Sequence, residues 1–307
     1  MIPENHKVKF AILGAGHIGK RHAEMVRRDP EAELVAMIDI RSIEECAAAD
    51  FNVPFFRTLD ELLASEIEFD VLNVCTPNGL HAEQALAGLE NKKHVVVEKP
   101  FTNYSIEADE LIALAKSKGL VLSVHHNARY HSDFKTVKKV LASGRLGRVV
   151  NYEARFDRFR NFLRPGAWRE ENLPGSGIHY DLGAHLIDQA LQLFGKPLSI
   201  YADLRVQRDG AKAIDDFEFI LSFPETKVSL KGQMLAKLPT ARIAVYGTNG
   251  CFVKWGVDPQ EALLREGVMP HERADWGKEP EEIQGTLAIL ENGKDVNERI
   301  VSEVGSG

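Results

Sequence analysis

Long hydrophobic runs are missing from this 307-residue chain. Its most apolar stretches, such as Val71-Leu72-Asn73-Val74 and Val95-Val96-Val97, are only a few residues long. A membrane-spanning helix needs about 20, so no membrane partner is expected. Cysteine is scarce: Cys46, Cys75 and Cys251 are odd in number and far apart. That excludes a disulfide framework and a Cys-x-x-Cys metal pair, and the three read as small buried apolar residues. An excess of basic residues is also lacking. With a net charge of −7, a nucleic-acid partner, which needs a basic face, is not expected. No apolar segment follows a basic start near Met1, so the chain reads as cytoplasmic. No internal repeat or low-complexity segment is present.

What is there is an ordinary globular mixture, long enough for two domains. Short runs of Val, Ile and Leu at Val8–Leu13, Leu34–Asp39, Val71–Thr76, His94–Glu98 and Leu120–Val124 read as strands. Amphipathic stretches near Ile18–Arg28, Ser42–Ala49, Leu80–Glu90 and Tyr104–Lys118 read as helices between them. Strict alternation predicts a doubly wound parallel sheet, covered on both faces, over residues 1–124. Beyond it the texture changes. After a helix from about Asp133 to Ser143 come longer alternating strands: Val149–Phe156, Ser199–Gln207, Phe217–Phe223, Lys227–Leu235, Arg242–Tyr246 and Cys251–Trp255. One helix, Tyr180–Phe194, interrupts them. Residues 125–307 thus read as an α+β domain with an open, largely antiparallel sheet. No closing element is read in Ser302–Gly307.

The first strand feeds a loop, Gly14-Ala15-Gly16-His17-Ile18-Gly19, that opens a helix. Gly14 permits the tight turn, Gly16 lets backbone approach a pyrophosphate, and Gly19 lets helix pack on strand. Free N–H groups at the helix start attract phosphate. Asp39 lies 20 residues past Gly19, where a carboxylate accepts both ribose hydroxyls and repels a 2′-phosphate. That favours NAD. Arg41, able to stack on adenine or pair with a 2′-phosphate, leaves NADP open.

Two further groups carry chemistry. Glu98-Lys99-Pro100 ends a strand at the carboxyl edge of the sheet, where open α/β folds bind ligands. Asp181 and His185 are four residues apart in the Tyr180–Phe194 helix, which puts them on one face, and a nearby carboxylate makes an imidazole a stronger base. Arg155, Arg158, Arg160, Arg164 and Arg169 form a basic cluster with two readings, a solvated surface or an anion-friendly rim to a substrate cleft. His125, His126, His179 and His185 are the histidines that could converge on a zinc ion. The dispersed cysteines make a zinc dehydrogenase the weaker reading, and no metal is expected.

Taken in order, the glycine loop, Thr76-Pro77-Asn78-Gly79-Leu80-His81, Glu98-Lys99-Pro100, Asn127-Ala128-Arg129-Tyr130, Trp168-Arg169 and Asp181-x-x-x-His185 resemble the Gfo/Idh/MocA (glucose–fructose oxidoreductase / inositol dehydrogenase) family. Gly177 to Leu191, with Asp258-Pro259-Gln260-Glu261 and Trp276-Gly277, is most similar to its scyllo-inositol dehydrogenase-like branch. The resemblance implies NAD(P)-dependent oxidation of a secondary alcohol on a polyol, sugar or sugar derivative. It implies that His185 takes the hydroxyl proton, Lys99 stabilises the developing alkoxide, and Asp181 holds a neighbouring hydroxyl and tunes His185. It also implies a cofactor wall of His17, Ile18, Ile40, Arg41, Thr76, Pro77, Asn78, His81, Glu98 and Asn127, and a substrate side with Arg129, Trp168, Arg169 and His179. A homodimer or homotetramer through the open sheet follows from the same resemblance, as do a further strand and helix beyond Gly307. The competing reading is a sensor that keeps the dinucleotide fold and has lost catalysis.

Overall fold

The computed structural model describes residues 7–306, which fall into two compact units. One comprises residues up to His125 together with Leu173–Gly175, a short return not foreseen by a boundary at 124/125. The other comprises His126–Asn172 and the chain from Ser176 onward.

In the first unit six parallel strands run β1 (Val8–Leu13), β2 (Ala32–Ile38), β3 (Phe55–Phe56), β4 (Val71–Val74), β5 (His94–Glu98) and β6 (Leu122–His125). Their spatial order is β3-β2-β1-β4-β5-β6, which reverses direction between β1 and β4, the switch point where such sheets bind dinucleotides. The helices are α1 (His17–Arg28), α2 (Leu59–Leu63), α3 (His81–Glu90) and α4 (Ser105–Lys118). Side-chain alternation covers both faces of the sheet. Ala11 and Leu13 of β1 join a core with Leu72, Val95, Leu89 and Leu111, while Ile12 joins Met37, Ala23 and Val26 on α1.

Two features depart from the sequence reading. The stretch Ser42–Ala49 is not an α-helix but two 3-10 turns, Ile43–Glu45 and Ala47–Asp50. The Ala47 N–H donates to Ala15 O at 2.9 Å, so it is diverted from the helical ladder. The two-residue β3 and the one-turn-plus α2 are additional. Cys46, Cys75 and Cys251 are free and half-buried rather than buried.

The second unit has eight strands: β7 (Val149–Arg155), β8 (Ser199–Arg205), β9 (Asp216–Ser222), β10 (Lys227–Gln233), β11 (Ile243–Gly247), β12 (Gly250–Lys254), β13 (Gly285–Glu291) and β14 (Lys294–Ile300). All pairings are antiparallel except β7 with β10. Helices α5 (Ser132–Ala142), α6 (Ile178–Asp181), α7 (Gly183–Phe194) and α8 (Gln260–Arg265) complete it. Val137 and Val140 of α5 and Leu186 and Ala190 of α7 bury against Tyr152, Phe217, Leu230, Val245 and Phe252 of the sheet. Strands β13 and β14 are absent from the sequence reading. They meet at Asn292 and Gly293, both with positive φ, the turn that suits a two-residue hairpin. Among the described residues no helix is long and apolar enough to cross a membrane.

The last strands are locked in by a buried ion pair. Lys254 Nζ lies 2.7 Å from Glu279 Oε2 with both side chains fully buried, and donates to the Trp255 and Ile283 carbonyls. Glu279 also accepts from Ser132 at the start of α5 and from Ser302 past β14. Removing one partner strands the other charge without solvent. Lys254→Met is therefore expected to cost about 3–5 kcal/mol in urea or thermal unfolding, and Lys254→Met/Glu279→Leu to recover part of it. An unchanged midpoint for the single variant would show that the pair anchors nothing.

Candidate active site

The dinucleotide end of the first unit is built around three glycines with different reasons for being glycine. Gly14 has φ 98°, and a Cβ there would lie 2.8 Å from the Cys75 carbonyl carbon and oxygen. A Cβ on Gly19 would lie 1.9 Å from Gly14 O. Both are glycine because the fold leaves no room. Gly16 is different. Its φ of −81° suits any residue, and the nearest atom to a Cβ is Arg41 Nη2 at 3.9 Å. Nothing in the protein requires glycine there. The space it leaves open lies at the N-terminus of α1, where no side chain caps the helix and the free N–H groups favour an anion. Ala15, Gly16 and His17 also border an open cleft of about 280 Å³, lined further by Arg41, Glu44, Glu45, Cys46 and Ala47. An open glycine, uncapped N–H groups and a cavity of this size fit a dinucleotide.

Asp39 is more committed than its position suggests. Its carboxylate accepts from the Ala15 N–H at 2.9 Å, the Arg41 N–H at 2.9 Å, and Arg41 Nε and Nη2 at 2.9 and 2.8 Å. Burial pushes its pKa up, but the hydrogen bonds from Arg41 and Ala15 outweigh it and hold the group below the usual carboxylate range. The roughly four lone-pair sites of a carboxylate are thus filled, and two ribose hydroxyls find room only if the half-exposed Arg41 swings away. Ile40 beside it is 81% exposed.

The loop after β4 places two of the expected cofactor residues in the interior. His81 has no exposed surface; its ring nitrogens lie 2.8 Å from Pro100 O and 3.0 Å from Thr76 O, and burial lowers its pKa. Asn78 is buried too, donating to Gly175 O at 2.7 Å. Both side chains tie backbone segments together. Thr76 Oγ1 bonds Gln84 at 2.5 Å.

Glu98 and Lys99 stand at the carboxyl end of β5. Glu98 Oε1 lies 2.8 Å from His22 Nε2 on α1 and 2.8 Å from His125 Nδ1 at the end of β6. Burial opposes its charge, yet the two imidazoles hold its pKa far below the usual carboxylate range. The donor atoms of these three residues lie within 4.8 Å of one another. His125 thus joins His22 and Glu98 in one hydrogen-bonded cluster of its own unit. His22, three residues past Gly19, was missed; its only signal was its place on the helix that opens at the glycine loop.

In the second unit Asp181 ends α6 and His185 lies in the first turns of α7. The helix read as continuous from Tyr180 is interrupted at Leu182, whose φ of −102° and ψ of −37° remain right-handed. The Leu182 N–H still donates to Ile178 O at 2.7 Å, so Asp181 and His185 remain about a turn apart. Gly183 lets this turn pack, since a Cβ there would lie 3.0 Å from the Phe219 ring. His185 is 9% exposed and meets the Phe156 ring edge-on at 6.1 Å. Arg169 Nε is 3.6 Å from Asp181, and its guanidinium stacks on Trp168. His179 packs on Tyr180, its pKa lowered by burial. Asn127 and Arg129 sit on the 3-10 turn Asn127–Tyr130. Arg129 grips Asp188 with both arms of its fork, at 2.8 and 2.6 Å, and so ties this turn to α7.

A six-stranded parallel sheet with this glycine loop, joined in sequence to an open mixed sheet, defines a dinucleotide-binding oxidoreductase architecture. The chain belongs to the Gfo/Idh/MocA oxidoreductase family: the model for the family's NAD-binding Rossmann domain matches residues 8–126 and that for its C-terminal domain matches 134–253. It is 42% identical to an uncharacterized oxidoreductase, YdgJ, of Escherichia coli (strain K12), over 97% of this chain and 85% of that one. It is 33% identical to the scyllo-inositol 2-dehydrogenase (NADP(+)) IolW of Bacillus subtilis (strain 168), over 97% and 83%. Among solved structures, the oxidoreductase yvaA from Bacillus subtilis superposes with a TM-score of 0.91 at 33% identity, covering 99% of this chain and 86% of that one.

The contrast between the glycines has a direct test. Gly16→Ala should melt within about 0.5 kcal/mol of the parent while weakening dinucleotide binding at least tenfold by fluorescence titration. Equal affinities would mean that no phosphate approaches this backbone.

Proposed function

We propose that the protein is an NAD(P)-dependent dehydrogenase that oxidises a secondary alcohol of a polyol, sugar or sugar derivative, working in the cytoplasm. The supporting observation is the placement of Lys99. It directly follows the Glu98 that α1 and β6 hold, at the carboxyl edge of the sheet that carries the glycine loop. Lys99 hydrogen-bonds the substrate oxygen and offsets its growing negative charge. His185 accepts the hydroxyl proton. Asp181 holds a neighbouring hydroxyl. When bound, the nicotinamide supplies the hydride acceptor, so a ketone leaves and one proton remains on the protein. Similarity to a scyllo-inositol dehydrogenase favours a polyhydroxylated substrate over a simple alcohol. Intact Lys99, Asp181 and His185 favour turnover over a sensor role. Strand β8, an edge strand that exposes Ile200 and Tyr201 at 66% and 60%, is the proposed contact face of a homodimer or homotetramer.

The test is a panel of polyols, sugars and sugar acids with NAD and NADP, followed at the nicotinamide absorbance. On the best substrate, Lys99→Ala should lower kcat well beyond tenfold, a step of about 1.4 kcal/mol. Survival within tenfold would remove Lys99 from the mechanism.

Arg41 is proposed to set the cofactor preference. It occupies the Asp39 oxygens that a ribose diol would use, and its charge would face a 2′-phosphate. Arg41→Ala should shift the ratio of kcat/KM for NAD over NADP toward NAD by tenfold or more. An unchanged ratio would show that the choice is made elsewhere.

A further inference from the structure

The second unit carries a depression whose wall is dominated by guanidinium groups and which includes Asp181. Five arginines border it against only two carboxylates, Glu170 and Asp181. They are not equivalent. Arg208 is fully used: it bonds Glu170 at 2.6 Å, Asp215 at 2.8 Å and Phe162 O at 2.9 Å, with its side chain almost completely buried. Arg164 approaches Glu170 at 3.7 Å and Arg169 approaches Asp181 at 3.6 Å. Arg158 and Arg160 have no hydrogen bond or ion pair from their guanidinium groups to any described residue.

The backbone that carries these two side chains is nonetheless held in place. Beyond β7 the chain continues extended alongside the end of β10. The Arg158 N–H donates to Gln233 O at 2.9 Å, the Arg160 N–H to Met234 O at 2.7 Å, and Ala236 N–H to Arg158 O at 3.0 Å. In extended backbone, residues two apart share a face. Arg158 and Arg160 line the depression, while Phe159 between them is exposed. Burial pulls both pKa values below the usual arginine value, with Arg164 among the cations adding to the effect on each. A guanidinium does not deprotonate in a protein, so like charges are kept together, offset in part by Asp181 and Glu261 near Arg158 and by Glu170 near Arg160. An anion would relieve that repulsion with charge-assisted hydrogen bonds. The volume of the depression is about 20 Å³, room for one or two water-sized atoms. That suits the oxygen end of a substituent, not a sugar ring.

We infer that Arg158 and Arg160 bind an anionic group on the substrate, a carboxylate or a phosphate ester, so that the alcohol oxidised is that of a sugar acid or sugar phosphate. This rests on the dehydrogenase reading through Asp181, which lines the same depression.

The experiment compares glucose, glucitol, glucuronate and glucose 6-phosphate on the parent protein, Arg158→Gln and Arg160→Gln, by turnover and by equilibrium titration. At least one anionic compound is expected to exceed glucose and glucitol by tenfold or more in kcat/KM, and glucuronate against the phosphate identifies which. Each Gln variant should lose most of that preference while its rate on neutral compounds stays within about twofold and its melting temperature is kept. Arg160→Gln stands alone if Arg158→Gln does not fold. Neutral compounds turned over as well as anionic ones would overturn the anion site and leave the dehydrogenase reading standing. Equal losses on neutral and anionic compounds would also overturn it, since the arginines would then act only by holding Asp181. If nothing is turned over yet anionic compounds bind and the Gln variants weaken them tenfold, the anion site holds and the dehydrogenase reading fails. Absence of both turnover and binding overturns the anion site as well.

Discussion

The functional edge of the first unit hangs on one carboxylate. Glu98 ends β5 and receives His22 from α1 and His125 from β6 on a single oxygen. Helix α1 is the one that opens at the glycine loop, so the same carboxylate fixes the phosphate-facing helix, the strand end that presents Lys99 and the last strand of the sheet. A buried charge is tolerated only where its partners are already in place. Here two imidazoles, 4.5 Å apart in an edge-to-face pair, provide that compensation. The other carboxylate oxygen accepts from the Lys99 N–H at 3.3 Å. The hydrogen bonds from the two imidazoles offset the cost of burying this carboxylate.

The second unit solves a different problem, holding Asp181 and His185 on a turn that is not a continuous helix. Leu182 keeps right-handed backbone across the interruption, and Gly183 allows the turn to press on Phe219. Behind His185 the packing continues through Phe156, whose ring carries the Arg242 guanidinium at 3.7 Å, itself 2.9 Å from buried Asp133. The Lys254–Glu279 pair then ties the start of α5 to the end of the sheet. Ionic contacts thus add to the apolar core on which Leu182 and Leu186 pack beside the candidate acid–base pair.

Much of this was legible in the sequence, because periodicity reports burial directly. Val and Ile runs marked the covered parallel sheet, and alternation marked the open one. Elements governed by local competition were not legible. The helix read over Ser42–Ala49 failed because the Ala47 N–H found Ala15 O, a partner 32 residues away. Strand β14 was missed because most of its side chains are exposed and polar, although Asn292-Gly293 carried a hairpin signal. Spacing placed Asp39 at a strand end but was silent on Arg41 folding back onto it. It placed Glu98 beside Lys99 but was silent on the two histidines, 76 and 27 residues distant, that complete its environment.

The same comparison separates groups that the fold needs from groups that it does not. Gly14 and Gly19 are forced by atoms of the protein itself; Gly16 is not. Arg129, Arg208 and Arg242 each meet a carboxylate at hydrogen-bond distance; Arg158 and Arg160 do not. Motif spacing treats these residues alike, since it records type and position only. A residue whose cost the protein leaves uncompensated is explained by something outside the chain: a backbone with needless room by a phosphate, a guanidinium without an acid by an anion. For the glycine the family supplies that outside group. For the arginines the proposed partner is an anionic group of the substrate, since Glu170 and Asp181 are shared with Arg208, Arg164 and Arg169.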